Sequence, residues 1–230
     1  MGDIVPPALR ANGVAITLQN GLGNEEALAE IVGPERVMGG LCFLCSNKAG
    51  PGHIRHLDYG QITLGEYAPG SNGRGITPRL RDIGDDLQRA GIPVELTGDL
   101  RLARWQKLLW NVPFNGLSVV LDATTDQLMA DPATRRLAEA LMREIRGGAQ
   151  ACGVEIQEKT IQEMLRRTEK MTPYRTSMKI DFDERRPMEI EAIFGAPLRA
   201  AREAGFDAPR LDALCAMLRF LDARNRSVNG

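Results

Sequence analysis

The sequence predicts an α/β sheet layer followed by an all-helical part, and three observations carry that reading. Residues 1–98 alternate short apolar runs with helical stretches, the pattern of an open α/β sheet. From Asp99 onward each periodic stretch has helical spacing. Asp, Pro and Gly punctuate this second part where helices should start and stop. The expected division is therefore 1–98 and 99–230.

Gly13 to Asn20, GVAITLQN, is a glycine-bounded β-branched run that fits a buried strand. A helix should follow, with Asn24 as N-cap, Glu25 and Glu26 at the positive end of its dipole, and Gly33-Pro34 as its stop. Arg36 to Cys45 reads as a second strand, and 52–59 with 61–66 as a hairpin or neighbouring strands around Gly60. The loop APGSNGRGITPR leads to a helix over 78–90, and GIPVELTGD supplies the last strand. Beyond it, helices are expected over 99–120, 132–152, 156–170, 187–204 and 207–225.

Composition narrows the class of function. Twenty-nine basic residues balance thirty acidic ones, and no basic cluster is interleaved with aromatics, so nucleic acid is not an expected partner. No apolar run is long enough for a membrane span, and the first residues lack the pattern of a secretory signal. Four cysteines make no disulfide framework, so reduced thiols and a cytoplasmic location are expected. Cys42-x2-Cys45 followed by His53-x2-His56 could be read as zinc ligands. The preferred reading is no metal, because GGLCFLC looks like a buried strand, on which residues three apart face opposite ways. There is neither a Gly-x-Ser-x-Gly elbow for a nucleophile nor a GxGxxG or GxxxxGK[ST] phosphate loop.

Two stretches could carry chemistry. In RWQKLLWNVPFNG, Lys107, Asn111 and Asn115 are spaced i, i+4, i+8, within roughly an 80° arc and about 12 Å of helix. Their neighbours are apolar, so a cation that can give up a proton shares a stripe with two amides. A solvated face with a lysine snorkelling past tryptophan is the alternative. Pro113 within the helix removes one backbone bond. In TSMKIDFDERRPMEIEAIFG, a polar turn with Ser177 and Asp181 precedes a helix expected to start at Pro187, with Glu189 in its first turn. That segment could line a site or simply be well capped.

Together, QNGLGNEEAL, WQKLLWNVPFNGLS and TSMKIDF…MEIEAIFG resemble the ketopantoate reductase (2-dehydropantoate 2-reductase) family in order and in the spacing of twelve between Ser177 and Glu189. The resemblance implies a Rossmann nucleotide-binding domain and a helical, 6-phosphogluconate-dehydrogenase-like C-terminal domain, with the active site between them. It implies NADPH-dependent reduction of 2-dehydropantoate, or a related 2-keto acid, to pantoate for pantothenate and coenzyme A synthesis. By the same resemblance Lys107 would be the general acid, Asn111, Asn115 and Ser177 would hold substrate, and Asn20 and Glu189 would meet the cofactor.

The sequence departs from that family in lacking the strand and GxGxxG that bind the pyrophosphate, as though it started after roughly 80 residues of a member. Only the C-terminal part of the Rossmann-like sheet is then expected, with weak or absent NADP binding. The edge strand this leaves would need cover, for which a homodimer is the candidate. The alternative function is a non-catalytic homologue, a helical dimerisation or small-acid-binding module. A smaller departure is the loop DATTD, where some members place another substrate-binding asparagine.

Overall fold

A computed structural model of the chain describes residues 1–70 and 73–227, apart from the side chains of residues 47, 48, 57 and 58. Ser71 and Asn72, within the loop ahead of the helix expected at 78–90, lie outside the described residues. The chain divides into two compact units, Met1–Arg104 and Trp105–Gly230. The first is an α/β sheet with helices, and the second is helical throughout.

In the first unit the order is α1 (Val5–Ala8), β1 (Ala15–Thr17), α2 (Asn24–Val32), a 3-10 turn (Pro34–Arg36), β2 (Val37–Gly50), β3 (His53–Glu66), α3 (Pro78–Arg89) and β4 (Val94–Thr97). Among the described residues these strands form one four-stranded sheet in the order β1-β2-β3-β4. β1 runs parallel to β2 from Ala15↔Val37 to Thr17↔Gly39, and β3 runs parallel to β4 from Ile62↔Val94 to Gly65↔Thr97. Between them β2 and β3 form a long antiparallel hairpin.

That hairpin corrects one expectation. Gly60 does not separate two strands: the register steps from Phe43↔Gln61 to Leu44↔Tyr59, leaving Gly60 as an extra residue inside β3. With Tyr59 at φ 61° and Gly60 at φ 139°, it is a bulge, and the chain reverses instead around Gly52. α2 also starts one residue off expectation. Its cap is Gly23 at φ 89°, and Asn24, the first helical residue, donates from Nδ2 to the Asn20 carbonyl at 2.7 Å.

Alternation along the strands sorts the two faces of the sheet. On one, Met38 and Leu64 are buried with Leu80 of α3, and Ile62, Ile83, Leu87, Val94 and Leu96 pack around them. Glu66 is buried on this face as well. It accepts from Arg79 Nε at 2.9 Å and from the hydroxyl of Thr77, the N-cap of α3, so one carboxylate fixes where that helix begins. On the other face Gly39 and Gly65 are register partners, and a Cβ on either would run into Leu100 within 3.0 Å. Two facing glycines thus make the groove that admits Leu100, the first residue of the next helix.

That helix, α4 (Leu100–Val120), runs unbroken through Pro113. It is followed by α5 (Thr125–Ala130), α6 (Pro132–Ala151), α7 (Glu158–Glu169), α8 (Ser177–Asp183), a π-helical segment (Glu191–Gly195), α9 (Ala196–Glu203) and α10 (Pro209–Ser227). α6 packs against α5, α7, α9 and α10. Leu108, Phe114, Leu141, Met142, Ile145, Ile161, Phe194, Leu198 and Leu218 are buried in this unit. From α6, Glu144 accepts from the backbone N–H groups of Arg210 and Leu211 at 3.2 and 2.9 Å, supplying a carboxylate to the first turn of α10. Gly116 of α4 lies where a Cβ would come within 2.6 Å of Leu214 and 3.0 Å of Phe194.

Three further expectations change. Residues 125–130 and 177–183 are short helices rather than loop and turn. The segment after Pro187 is not yet helical: Met188 N–H is held by Asp222 Oδ1 at 3.2 Å, and helical geometry begins at Ile190. Glu189 therefore lies before the helix rather than in its first turn. The widened π turn also has a local cause. Pro197 has no N–H for the Ile193 carbonyl, and the Ala196 N–H bonds back to Glu191, one residue further than in an α-helix.

Among the described residues no helix is long and apolar enough to cross a membrane. Gly116→Ala should cost about 1–3 kcal/mol of stability by urea unfolding, outweighing the helix-propensity gain of ~1 kcal/mol. A variant as stable as the parent would contradict the tight packing. Burial alone would raise the Glu66 carboxyl, but its bonds to Arg79 and Thr77 outweigh that and hold it below the ordinary range. Its contribution to stability is therefore complete above the unfolded value of about 4.3 and lost as pH falls through the lower folded value. Glu66→Gln should flatten the acid limb of the stability profile; an unchanged acid slope would count against this.

Candidate active site

Helix α4 carries an uninterrupted polar stripe. Arg104, Lys107, Asn111, Asn115 and Ser118 all fall within about an 80° arc at 100° per residue. Every one is buried, with Lys107 9%, Asn111 5% and Asn115 2% exposed. The solvated-face alternative is thereby excluded for this stripe. Along its flank Trp110 and Phe114 lie ring to ring at 5.2 Å, and Trp110 Nε1 donates to Thr168 Oγ1 at 3.2 Å. The tryptophan is anchored by its only donor.

The two ends of the stripe are hydrogen-bonded. Arg104 donates from Nε to Glu25 Oε1 at 2.9 Å, from Nη1 to the Gln19 carbonyl at 2.6 Å and from Nη2 to the Thr17 carbonyl at 3.3 Å. It also forms a buried ion pair with Glu25 through Nη2. One guanidinium thus holds the end of β1, the turn after it and the first turn of α2. Asn20 sits half-buried in that turn, between Gln19 and Gly21, the latter at φ 89°. Burial pushes the Glu25 carboxyl above its ordinary range, and Arg104 pulls against it. At the other end Ser118 Oγ donates to the Asn115 carbonyl at 3.1 Å and meets Thr176 Oγ1 at 2.7 Å.

The middle of the stripe differs. Asn111 Nδ2 and Asn115 Oδ1 are buried, with no hydrogen-bond partner among the described residues. Leaving a buried donor or acceptor unmade costs about 1–3 kcal/mol each, so two on adjacent turns are groups that a bound molecule could satisfy. One donor and one acceptor, beside a buried ammonium, suit a small molecule with an anionic or carbonyl oxygen and a hydroxyl.

Ser177 is exposed at the first position of α8, directly after Thr176, the N-cap. Glu189 is half-buried just ahead of the π-helical segment. Lys107, Asn111, Asn115, Ser177 and Glu189 belong to the second unit and Asn20 to the first. A second buried cation of the helical unit, Lys179, bonds to Asp183 and, at 2.7 Å, to Asp122. Burial works to lower its pKa, but the two carboxylates outweigh it and hold the ammonium above the ordinary lysine range. Lys179 is thus held as an ion-paired ammonium.

Arg104 and Ser118 were missing from the sequence-based candidates. Both lie on the arc of Lys107, so extending the stripe by one turn each way would have found them. Among the described residues no group of three or more His, Cys, Asp or Glu is placed to hold a metal, and Cys42 and Cys45 are half-buried and buried thiols of β2. The sequence holds no GxGxxG or GxxxxGK[ST] loop for a dinucleotide's phosphates. α2 carries Glu25 and Glu26 in its first turn, and Glu66 accepts from the Thr77 hydroxyl at the cap of α3 and pairs with Arg79.

The family described as "Ketopantoate reductase PanE/ApbA C terminal" matches residues 99–222, and "Ketopantoate reductase PanE/ApbA" matches residues 2–69. A 2-dehydropantoate 2-reductase from Nostoc is 57% identical over 97% of this chain and 70% of its own. A crystal structure of 2-dehydropantoate 2-reductase from Geobacter metallireducens superposes with a TM-score of 0.84 at 42% identity, covering 90% of this chain and 67% of that one. The corresponding structure from Methylococcus capsulatus gives 0.83 at 34% identity, covering 91% and 70%. Across three curated relatives the chain spans 70%, 58% and 66% of their lengths.

If Arg104 anchors the β1–α2 turn, Arg104→Met leaves Glu25 buried and unpaired and should cost about 3–5 kcal/mol in the unfolding of the first unit. Adding Glu25→Leu should restore most of it. A single-variant loss below ~1 kcal/mol would show that the pair is dispensable.

Proposed function

Since the chain belongs to the ketopantoate reductase family of oxidoreductases, we propose that its helical unit binds 2-dehydropantoate for reduction to pantoate, on the route to pantothenate and coenzyme A. The observation that carries this reading is the pair of open amide groups, Asn111 Nδ2 and Asn115 Oδ1, on one arc with buried Lys107. 2-Dehydropantoate has a carboxylate, a ketone next to it and a terminal hydroxyl. Asn111 Nδ2 donates to an oxygen of the keto acid, Asn115 Oδ1 accepts from its hydroxyl, and Ser177 adds a further hydroxyl contact.

Reducing the ketone adds a hydride to carbon and a proton to oxygen. Lys107 is assigned the proton. Its ammonium stabilises negative charge developing on the ketone oxygen and then protonates it, and burial strengthens the attraction. Asn111 and Asn115, one and two turns along the same helix, hold the rest of the acid so that this oxygen meets Lys107. The hydride donor implied by the family is NADPH, with Asn20 and Glu189 the residues assigned to it. No phosphate contact is assigned, because the sequence contains neither a GxGxxG nor a GxxxxGK[ST] phosphate loop.

The lack of a phosphate-loop motif in these 230 residues favours a second reading, a keto-acid-binding module that holds no dinucleotide by itself, as a homodimer or otherwise. Calorimetric titration with NADPH separates the two. Binding weaker than micromolar is expected for these 230 residues, and micromolar or tighter binding would reject the second reading. For the first, Lys107→Ala should lower 2-dehydropantoate-dependent NADPH oxidation by about a hundredfold or more, the usual share of a general acid. A loss under about tenfold, 1.4 kcal/mol of transition-state stabilisation, would reject Lys107 as the proton donor.

A further inference from the structure

Asn115 has a second connection besides its open side-chain oxygen. Its backbone carbonyl accepts from Ser118 Oγ at 3.1 Å, Ser118 Oγ lies 2.7 Å from Thr176 Oγ1, and Thr176 Oγ1 accepts from the Lys179 N–H at 3.2 Å. Each hydroxyl has one proton to give. With Ser118 giving its proton to Asn115, the bond between the hydroxyls runs from Thr176 to Ser118. The three bonds therefore point one way, from the first turn of α8 to Asn115, and each polarises the next. Ser118 and Thr176 are both fully buried. Two residues before Thr176, Thr125 grips the same segment, donating from its N–H to the Tyr174 carbonyl at 3.1 Å and accepting from the Tyr174 N–H at 3.2 Å.

We propose that Thr176 and Ser118 are positioning residues that hold Ser177 in register with Asn111 and Asn115, fixing the span over which one 2-keto acid can be gripped from both sides. The proposal rests on the reading that these three residues bind the acid. Ser177 is exposed and begins a helix of only seven residues, too short to hold its own place. The hydroxyl chain through the adjacent Thr176 ties it to α4 itself, while the Lys179–Asp122 pair reaches only the turn after α4. Misplacing a binding group by about an ångström is enough to weaken its share of the grip substantially.

Thr176→Val keeps the side-chain shape and removes the hydroxyl, whereas Thr176→Ser keeps the hydroxyl. Both are made in the parent chain and with Ser177→Ala, beside Asn111→Ala, and calorimetry measures 2-dehydropantoate binding while urea unfolding reports stability. Thr176→Val should weaken binding about fivefold or more, Thr176→Ser less than about twofold, and Thr176→Val should add nothing once Ser177 is alanine. An effect of Thr176→Val that persists undiminished without the Ser177 hydroxyl overturns the proposal, as does parental binding by Thr176→Val. If Asn111→Ala and Ser177→Ala weaken binding and Thr176→Val does not, only the positioning role falls. If neither of those two variants changes binding, the site reading falls and takes the proposal with it. Should Thr176→Val not fold, Ser118→Ala, which leaves the α8 cap intact, takes its place in the same cycle.

Discussion

The buried pair of Arg104 and Glu25 is the constraint around which the first unit is arranged. Two charges out of water are costly, and they persist because Arg104 also satisfies the carbonyls of Thr17 and Gln19. The pair needs space, which Gly39 supplies: a Cβ there would come within 2.3 Å of Glu25 Oε1. It also needs Leu100 to approach the sheet, which the facing glycines of β2 and β3 permit. The turn holding Asn20 thus inherits its shape from an arginine 84 residues away in sequence.

The same helix that brings Arg104 to the sheet presents Lys107, Asn111 and Asn115. Placing them on one helix face gives spacing that depends on helix geometry alone, with no loop in between. Polar groups at both ends of the stripe are satisfied within the protein, while one donor and one acceptor in the middle stay open. Under the proposed reading, binding the acid would recover part of what burying these polar atoms costs. A site of that kind would discriminate against acids that lack the matching hydroxyl more sharply than against those differing by a methyl.

Much of this was legible in the sequence, for identifiable reasons. The strand and helix alternation up to β4 and the long helices after it announce themselves through periodicity and breakers. The stripe of Lys107, Asn111 and Asn115 needs only the helix repeat. Gly60 was misread because a glycine with positive φ looks the same in a turn and in a bulge, and only the partner strand distinguishes them. α5 and α8 span six and seven residues, too few for a period to show. Pro187 reads as a helix start, but the next N–H, that of Met188, is held by Asp222, 34 residues beyond Met188. Ser118 and Thr176, and Arg104 and Glu25, are 58 and 79 residues apart, and no local pattern reveals such partners.

The π turn at Glu191–Gly195 bears on how this chain should be compared with others. One extra residue in a turn advances everything after it by about 100° around the helix axis. Residues of α9 therefore face directions that a plain α-helical count from Glu189 would assign to their neighbours. An alignment that ignores the inserted residue would match buried positions such as Leu198 and Ala201 with exposed ones in a relative whose helix lacks it. Substitution patterns read through this segment carry meaning only when the phase is reset at Gly195.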